Sequence, residues 1–141
     1  MFGSSKPEIA MTVLSGFHHV KLPVADVVRS RDWYQRTLGL HVDIEFVEDG
    51  VLMGVALRNP EGSVRIALRH DPVRAAAMAD FDPIAWGVPT KADLDAWRTR
   101  LDRAGDAHGG VVEGHEGWVI VGLHDPDGVE VRLYTYERRD Q

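Results

Sequence analysis

The sequence contains no cysteine. That absence excludes disulfide scaffolds, thiolate zinc centres, iron–sulfur clusters and cysteine nucleophiles. It also suits a reducing compartment, so the cytoplasm is the expected location. Long apolar runs are missing as well: nothing approaches the roughly 18 residues of a spanning helix, and no membrane partner is expected. Positive charge is in deficit, with Lys+Arg 16 against Asp+Glu 22 and a formal net charge of −6. Affinity for a phosphate backbone comes from an excess of cations, so nucleic acid is not an expected partner. No GxSxG elbow, GxxxxGK phosphate loop or GxGxxG fingerprint occurs. The HExxH zinc pattern fails too, because after His115 and Glu116 the second histidine position is Val119. Residues 1–16 lack the hydrophobic region of a secretory signal and read as a loose extension, with Met1 and Met11 both open as the natural start.

What is present is an ordinary globular composition, 44% apolar and 27% charged over 141 residues, which predicts one compact domain. Compared with itself, the chain shows a duplication. Phe17, Val20 and Val24 recur as Phe81, Ile84 and Val88; Trp33 recurs as Trp97. Leu57 to Gly62 matches Leu123 to Gly128, and Ile66-Ala67-Leu68 matches Val131-Arg132-Leu133. The offset drifts only from 64 to 66, as two copies of one supersecondary unit require.

Each copy reads as βαβββ. Residues 17–24 alternate like a half-buried strand; Asp26 then caps a helix that ends at Gly39. In the second copy Thr90 and Asp93 form a capping box, Leu94, Trp97, Leu101 and Ala104 an apolar stripe, and Gly105 the C-cap. Further strands are predicted over 41–48, 51–58 and 63–70, then 110–116, 118–124 and 129–137. Asn59-Pro60-Glu61-Gly62 and Asp125-Pro126-Asp127-Gly128 carry type I turn chemistry. The expected organisation is an extension (1–16), a first module (17–70), a linker with a short capped helix (71–80) and a second module (81–137), all one structural domain over 17–137.

The His18-His19-Val20-Lys21-Leu22-Pro23-Val24 opening, the Arg31 to Leu40 helix end and the Asp125-Pro126-Asp127-Gly128 turn before the Glu130 to Tyr134 strand together resemble the vicinal oxygen chelate superfamily of glyoxalases, bleomycin resistance proteins and extradiol dioxygenases. The resemblance covers about residues 17–137. It implies an α+β fold in which two βαβββ modules form an eight-stranded open cup with the helices outside, and it implies a homodimer. In the enzymes of that family the cup holds a divalent metal. The resemblance carries the four ligand positions onto His19, Ala67, Pro83 and Arg132. Alanine and proline offer no side-chain donor and a guanidinium offers no lone pair, so no metal cofactor is expected. A divalent metal on relocated ligands stays as the alternative.

Strand parity then predicts the cup lining. His19, Lys21 and Pro23 face inward from the first strand, and Arg65, Ala67 and Arg69 from the fourth. Glu130, Arg132, Tyr134 and Tyr136 do so from the last, and Trp118, Ile120, Leu52, Gly54 and Ala56 complete a wall. His18 and His70 are expected to face the opposite way. The candidate ligand-binding set is therefore His19, Lys21, Arg65, Arg69, Trp118, Glu130, Arg132 and Tyr134. A basic interior in an acidic chain has two readings: strand-end cations reaching water, or a site for an anion. Two functions remain open. One is a small-molecule binding protein for an anionic or aromatic metabolite or antibiotic. The other is an enzyme, a lyase or dioxygenase with relocated metal ligands or a catalyst using His19 as base near Arg132.

Overall fold

The computed structural model describes residues 10–140. Of the expected N-terminal extension, residues 1–9 lie outside this range; residues 10–16 are exposed and belong to no helix or strand. The first half runs β1 (Val20–Val24), α1 (Val27–Leu38), β2 (His41–Glu48), β3 (Val51–Arg58) and β4 (Arg65–His70). A short α2 (Pro72–Ala77) follows. The second half runs β5 (Ala85–Val88), α3 (Lys91–Ala104), β6 (Val111–Glu113), β7 (Trp118–His124) and β8 (Glu130–Thr135).

Local chemistry sets these boundaries. The Asp26 side chain accepts from the Arg29 N–H and caps α1, and Gly39 ends it in the left-handed conformation. Thr90 and Asp93 form the capping box of α3. Pro72 occupies the first turn of α2, where its missing N–H costs nothing. Asp49 and Gly50, both at positive φ, close the tight β2–β3 hairpin. In the Asn59 turn the Gly62 N–H donates to the Asn59 carbonyl, and the Asn59 side chain accepts from the Val64 N–H.

Two four-stranded sheets result, ordered β1-β4-β3-β2 and β5-β8-β7-β6, with β1 parallel to β4 and β5 parallel to β8. The shared order is the duplication expressed as topology. The sheets do not close into a barrel, and the arrangement is α+β with an open cup. One face of each sheet packs on its helix. Leu22, Leu68, Ile66, Val55 and Leu57 are buried on the α1 side of the first sheet, and Val131, Leu133 and Ile120 on the α3 side of the second.

The halves share one core. The Tyr34 hydroxyl of α1 donates to Asp125 Oδ2 at 2.7 Å, and Asp127 accepts from the Ala25 N–H and from Arg29. Tyr34 also lies against Trp86 of β5.

Several strands are shorter than their patterns: β6 keeps three residues of 110–116, β4 and β8 lose residues at their ends, and β1 loses its start. Phe17 to His19 precede β1, whose ladder begins with Val20 opposite Ile66. β4 starts at Arg65, so the earlier residues have no stretch of strand to pair with, and Phe17 is 93% exposed. Its repeat partner Phe81 is exposed as well.

Candidate functional site

Among the described residues, α1 packs on the buried face of the first sheet, while α2 meets the sheet at β1, its Arg74 bordering a hollow at the β1 and β4 ends; the rest of the second face is open. Parity along β1 and β4 holds: Lys21 pairs with Ala67 and Pro23 with Arg69, on the face opposite the buried Leu22 and Leu68. β3 adds Ala56 opposite Ala67 and Gly54 opposite Arg69. β2 adds Ile44 beside Ala56 and Phe46 beside Gly54. A floor of one-carbon or absent side chains (Ala56, Ala67, Gly54) is therefore bordered by longer ones. At Gly54 even a methyl group would come within 2.7 Å of the Leu68 carbonyl oxygen, so this part of the floor is backbone.

Two adjoining hollows occupy this face. The first, about 240 Å³, is lined by His18, His19, Asp43, Ile44, Phe46 and Arg65 over Ala56 and Ala67. The second, about 190 Å³, shares His19, Phe46 and Ala67 with it and reaches Lys21 and Arg69. A third, of about 440 Å³, lies at the β1 and β4 ends between Lys21, Arg69, His70 and Arg74. His19 thus faces the cup as expected. His18 is there too, against expectation, because residues before β1 are not bound by strand alternation. The Nδ1 atoms of the two imidazoles are 2.9 Å apart, within hydrogen-bond distance. His70 borders the third hollow, also against the expected parity, since it closes β4 at the rim.

Arg69 is committed within the chain. Both its terminal nitrogens donate to Glu48 of β2, a fork that holds the Glu48 carboxyl below its ordinary value.

The remaining candidates lie on the second sheet. Glu130 accepts from Arg132 Nε and from the Gly122 N–H, both at 2.9 Å, and these bonds, the Arg132 one first, lower its carboxyl pKa. Arg132 also approaches Asp82 at 3.8 Å, so this guanidinium answers carboxylates of its own chain. His19 borders both hollows of the first sheet, whereas Arg132 lies on β8 of the second sheet beside Glu130 and Asp82.

Trp118 departs from its predicted direction. Ile120, two residues on, pairs with Leu133 on the helix face and is fully buried. Trp118 shares that face, with Lys91 Nζ of α3 lying 5.8 Å from its ring centroid. Alternation counted back from Leu123 fails because the β7–β8 register shifts between Ile120 and Leu123, where Gly122 takes φ +76°. Tyr134, opposite Val119, faces away from the Leu133 side; at the strand ends it shares a separate hollow of about 210 Å³ with Trp118 and the 114–117 turn.

The matching family model spans residues 16–133, the Glyoxalase/Bleomycin resistance protein/Dioxygenase superfamily. The chain belongs to this superfamily. Solved structures agree in fold. A glyoxalase/bleomycin resistance protein/dioxygenase domain from Frankia sp. EAN1pec is 25% identical, with TM-score 0.69, over 92% of this chain and 96% of that one. TnmS3, an antibiotic binding protein from Streptomyces sp. CB03234, is 20% identical with TM-score 0.71 over 89% and 98%. A lactoylglutathione lyase from Agrobacterium tumefaciens is 18% identical with TM-score 0.69 over 88% and 96%. No curated protein matches the sequence.

The superfamily implies a divalent metal, and the positions that the resemblance carries over offer it few donors. Of the four carried-over positions only His19 bears a donor; Ala67, Pro83 and Arg132 do not. Among the described residues no three His, Cys, Asp or Glu side chains gather into a group that could hold an ion. Phe46, Ile44, His18 and Asp43 are the site residues that sequence reasoning missed. The two register shifts of β2, at Val42/Ile44 and Phe46/Val47, leave no simple alternation to follow.

Proposed function

We propose that this superfamily member is a small-molecule binding protein that takes an anionic or aromatic metabolite or antibiotic on the open face of its first sheet, without the family's metal. One observation carries the reading. An uncovered sheet face combines a floor of Gly54, Ala56 and Ala67 with cations and imidazoles along its border. A concave, mostly apolar surface with a few convergent polar groups is the usual form of a ligand site. The antibiotic-binding TnmS3 gives this reading a relative of the same fold.

The proposal includes a homodimer. β2 is exposed along its whole length and presents Ile44, Phe46 and Val47 at a sheet edge, a surface that a second copy would cover. It also includes a cytoplasmic location, which a chain without cysteine suits. Native mass spectrometry with elemental analysis of freshly purified protein tests it. The expected result is a dimer with less than stoichiometric metal and a thermal midpoint unmoved by chelator. A tightly held divalent ion lost in His19→Ala would overturn it.

The paired His18 and His19 beside Asp43 favour one second reading, an enzyme with His19 as base. Turnover lost in His19→Ala while binding persists would select it.

A further inference from the structure

The cations on the open face of the first sheet are not equivalent. Arg69 gives both terminal nitrogens to Glu48, and Arg74 pairs with Asp71. Arg58 donates to the Asn59 and Pro60 carbonyls. Lys21 and Arg65 have no hydrogen bond or ion pair among the described residues. They flank one position. Lys21 stands directly across the ladder from Ala67, and Arg65 comes two residues before Ala67 on the same face. The two Cα atoms are thus about 8 Å apart on neighbouring strands, with a single methyl group between their long stems. Arg65 is also crowded by its own sign. It sits opposite Arg58, and a methyl group on Gly62 would lie 3.4 Å from Arg65 Nη2 and 3.6 Å from Arg58 Nη2. Like charges directly opposite across a ladder destabilise it, so an anion nearby relieves a repulsion already present.

Beside this pair of cations the surface turns apolar. Phe46 and Ile44, 43% and 48% exposed, rise along the edge of the Ala56–Ala67 floor. A closed cavity of about 150 Å³ takes one benzene ring. The first hollow, at about 240 Å³, has room for two fused rings. Asp43 is the carboxylate of that hollow; Arg65 lines the same hollow and Lys21 the adjoining one, so the two cations outnumber it.

We infer that Lys21 and Arg65 together hold the oxyanion of an aromatic acid over Ala67, with its ring body lying between Phe46 and the Ala56 floor. This rests on the reading of the face as a small-molecule site and specifies the chemistry of what it takes. A carboxylate and a phosphate share that chemistry, since both accept from a guanidinium fork and an ammonium. It also explains why a chain of net negative charge leaves two cations unanswered at the border of an apolar hollow.

The test is calorimetric titration of the whole protein with three probes of one ring system: 2-naphthoate, 2-naphthyl phosphate and the uncharged 2-naphthalenemethanol. The expected result is that at least one anion binds about tenfold or more tightly than the alcohol, the loss that removing a charge-assisted hydrogen bond brings. Whichever anion binds more tightly identifies the oxyanion. Lys21→Met and Arg65→Met should each weaken the anion about tenfold and leave the alcohol within about twofold. Both side chains are exposed, so the fold is kept, which far-ultraviolet circular dichroism checks. In Asp43→Asn the anion should bind more tightly. An alcohol that binds as well as the acids, or anion affinity kept in both Met variants, overturns the inference while leaving the small-molecule reading intact. Failure of all three probes to bind also overturns it, and the mass spectrometry of co-purified ligand then decides the broader reading separately.

Discussion

Tyr34 is fully buried, and its hydroxyl serves one purpose, a 2.7 Å bond to Asp125 across the two halves of the chain. Asp125 Oδ1 is met by the Asp127 and Val129 N–H groups, which leaves Tyr34 as the partner of Oδ2. Tyr34→Phe therefore bares one carboxylate oxygen in a buried place, and urea denaturation should report a loss of about 1–3 kcal/mol. Burial pushes the Asp125 carboxyl above its ordinary value despite these three hydrogen bonds, which pull the other way. The folded protein therefore holds this proton more tightly than the unfolded chain does. The resulting stability is present below the ordinary carboxyl pKa and is lost as pH rises through the folded one. Asp125→Asn should remove that falling component from a stability profile taken upward from below the ordinary carboxyl pKa. Burial, and next the charge of Asp125, raise the Tyr34 hydroxyl well above its ordinary value. The same sign applies there, and wild-type stability should fall on the alkaline side above the ordinary tyrosine pKa, a fall absent in Tyr34→Phe.

At the scale of the element, β7 decides which side chains the second sheet offers. Its register shift turns Ile120 and Trp118 toward α3, and Glu130 caps the irregularity by accepting from the Gly122 N–H. Gly122 is held at φ +76°, and a methyl group there would meet the Gly109 nitrogen at 2.8 Å. Gly122→Ala should cost about 1–3 kcal/mol in chemical denaturation, from the strained dihedral and the displaced neighbouring backbone together. Trp118 fluorescence should shift with it, since the ring is placed by the same irregularity. A neutral substitution would mean that the bulge does not hold the strand. The capping signals of α1 and α3 were readable because each is a contact between residues three apart. The bulge was not, because it depends on how β7 meets β8 and on the Gly109–Gly110 backbone lying against it.

For the whole molecule, the prediction concerns what covers β2. Sedimentation of the wild-type protein at micromolar concentration should give a dimer, and Val47→Asp, at a position 60% exposed in the single chain, should give a folded monomer. A monomeric wild type would remove the dimer from the proposal. The duplication, the helix caps, the turns and the parity of β1 and β4 followed from the sequence alone, because period, capping and alternation are local and repeat along the chain. Tertiary structure alone decided the rest. It committed Arg69 to Glu48, turned Trp118 to α3, and brought His18, Asp43 and Phe46 to the hollow beside His19. Ion pairs and register shifts join residues far apart in the chain. Their partners are set by which strands lie side by side, and no spacing within one segment records that.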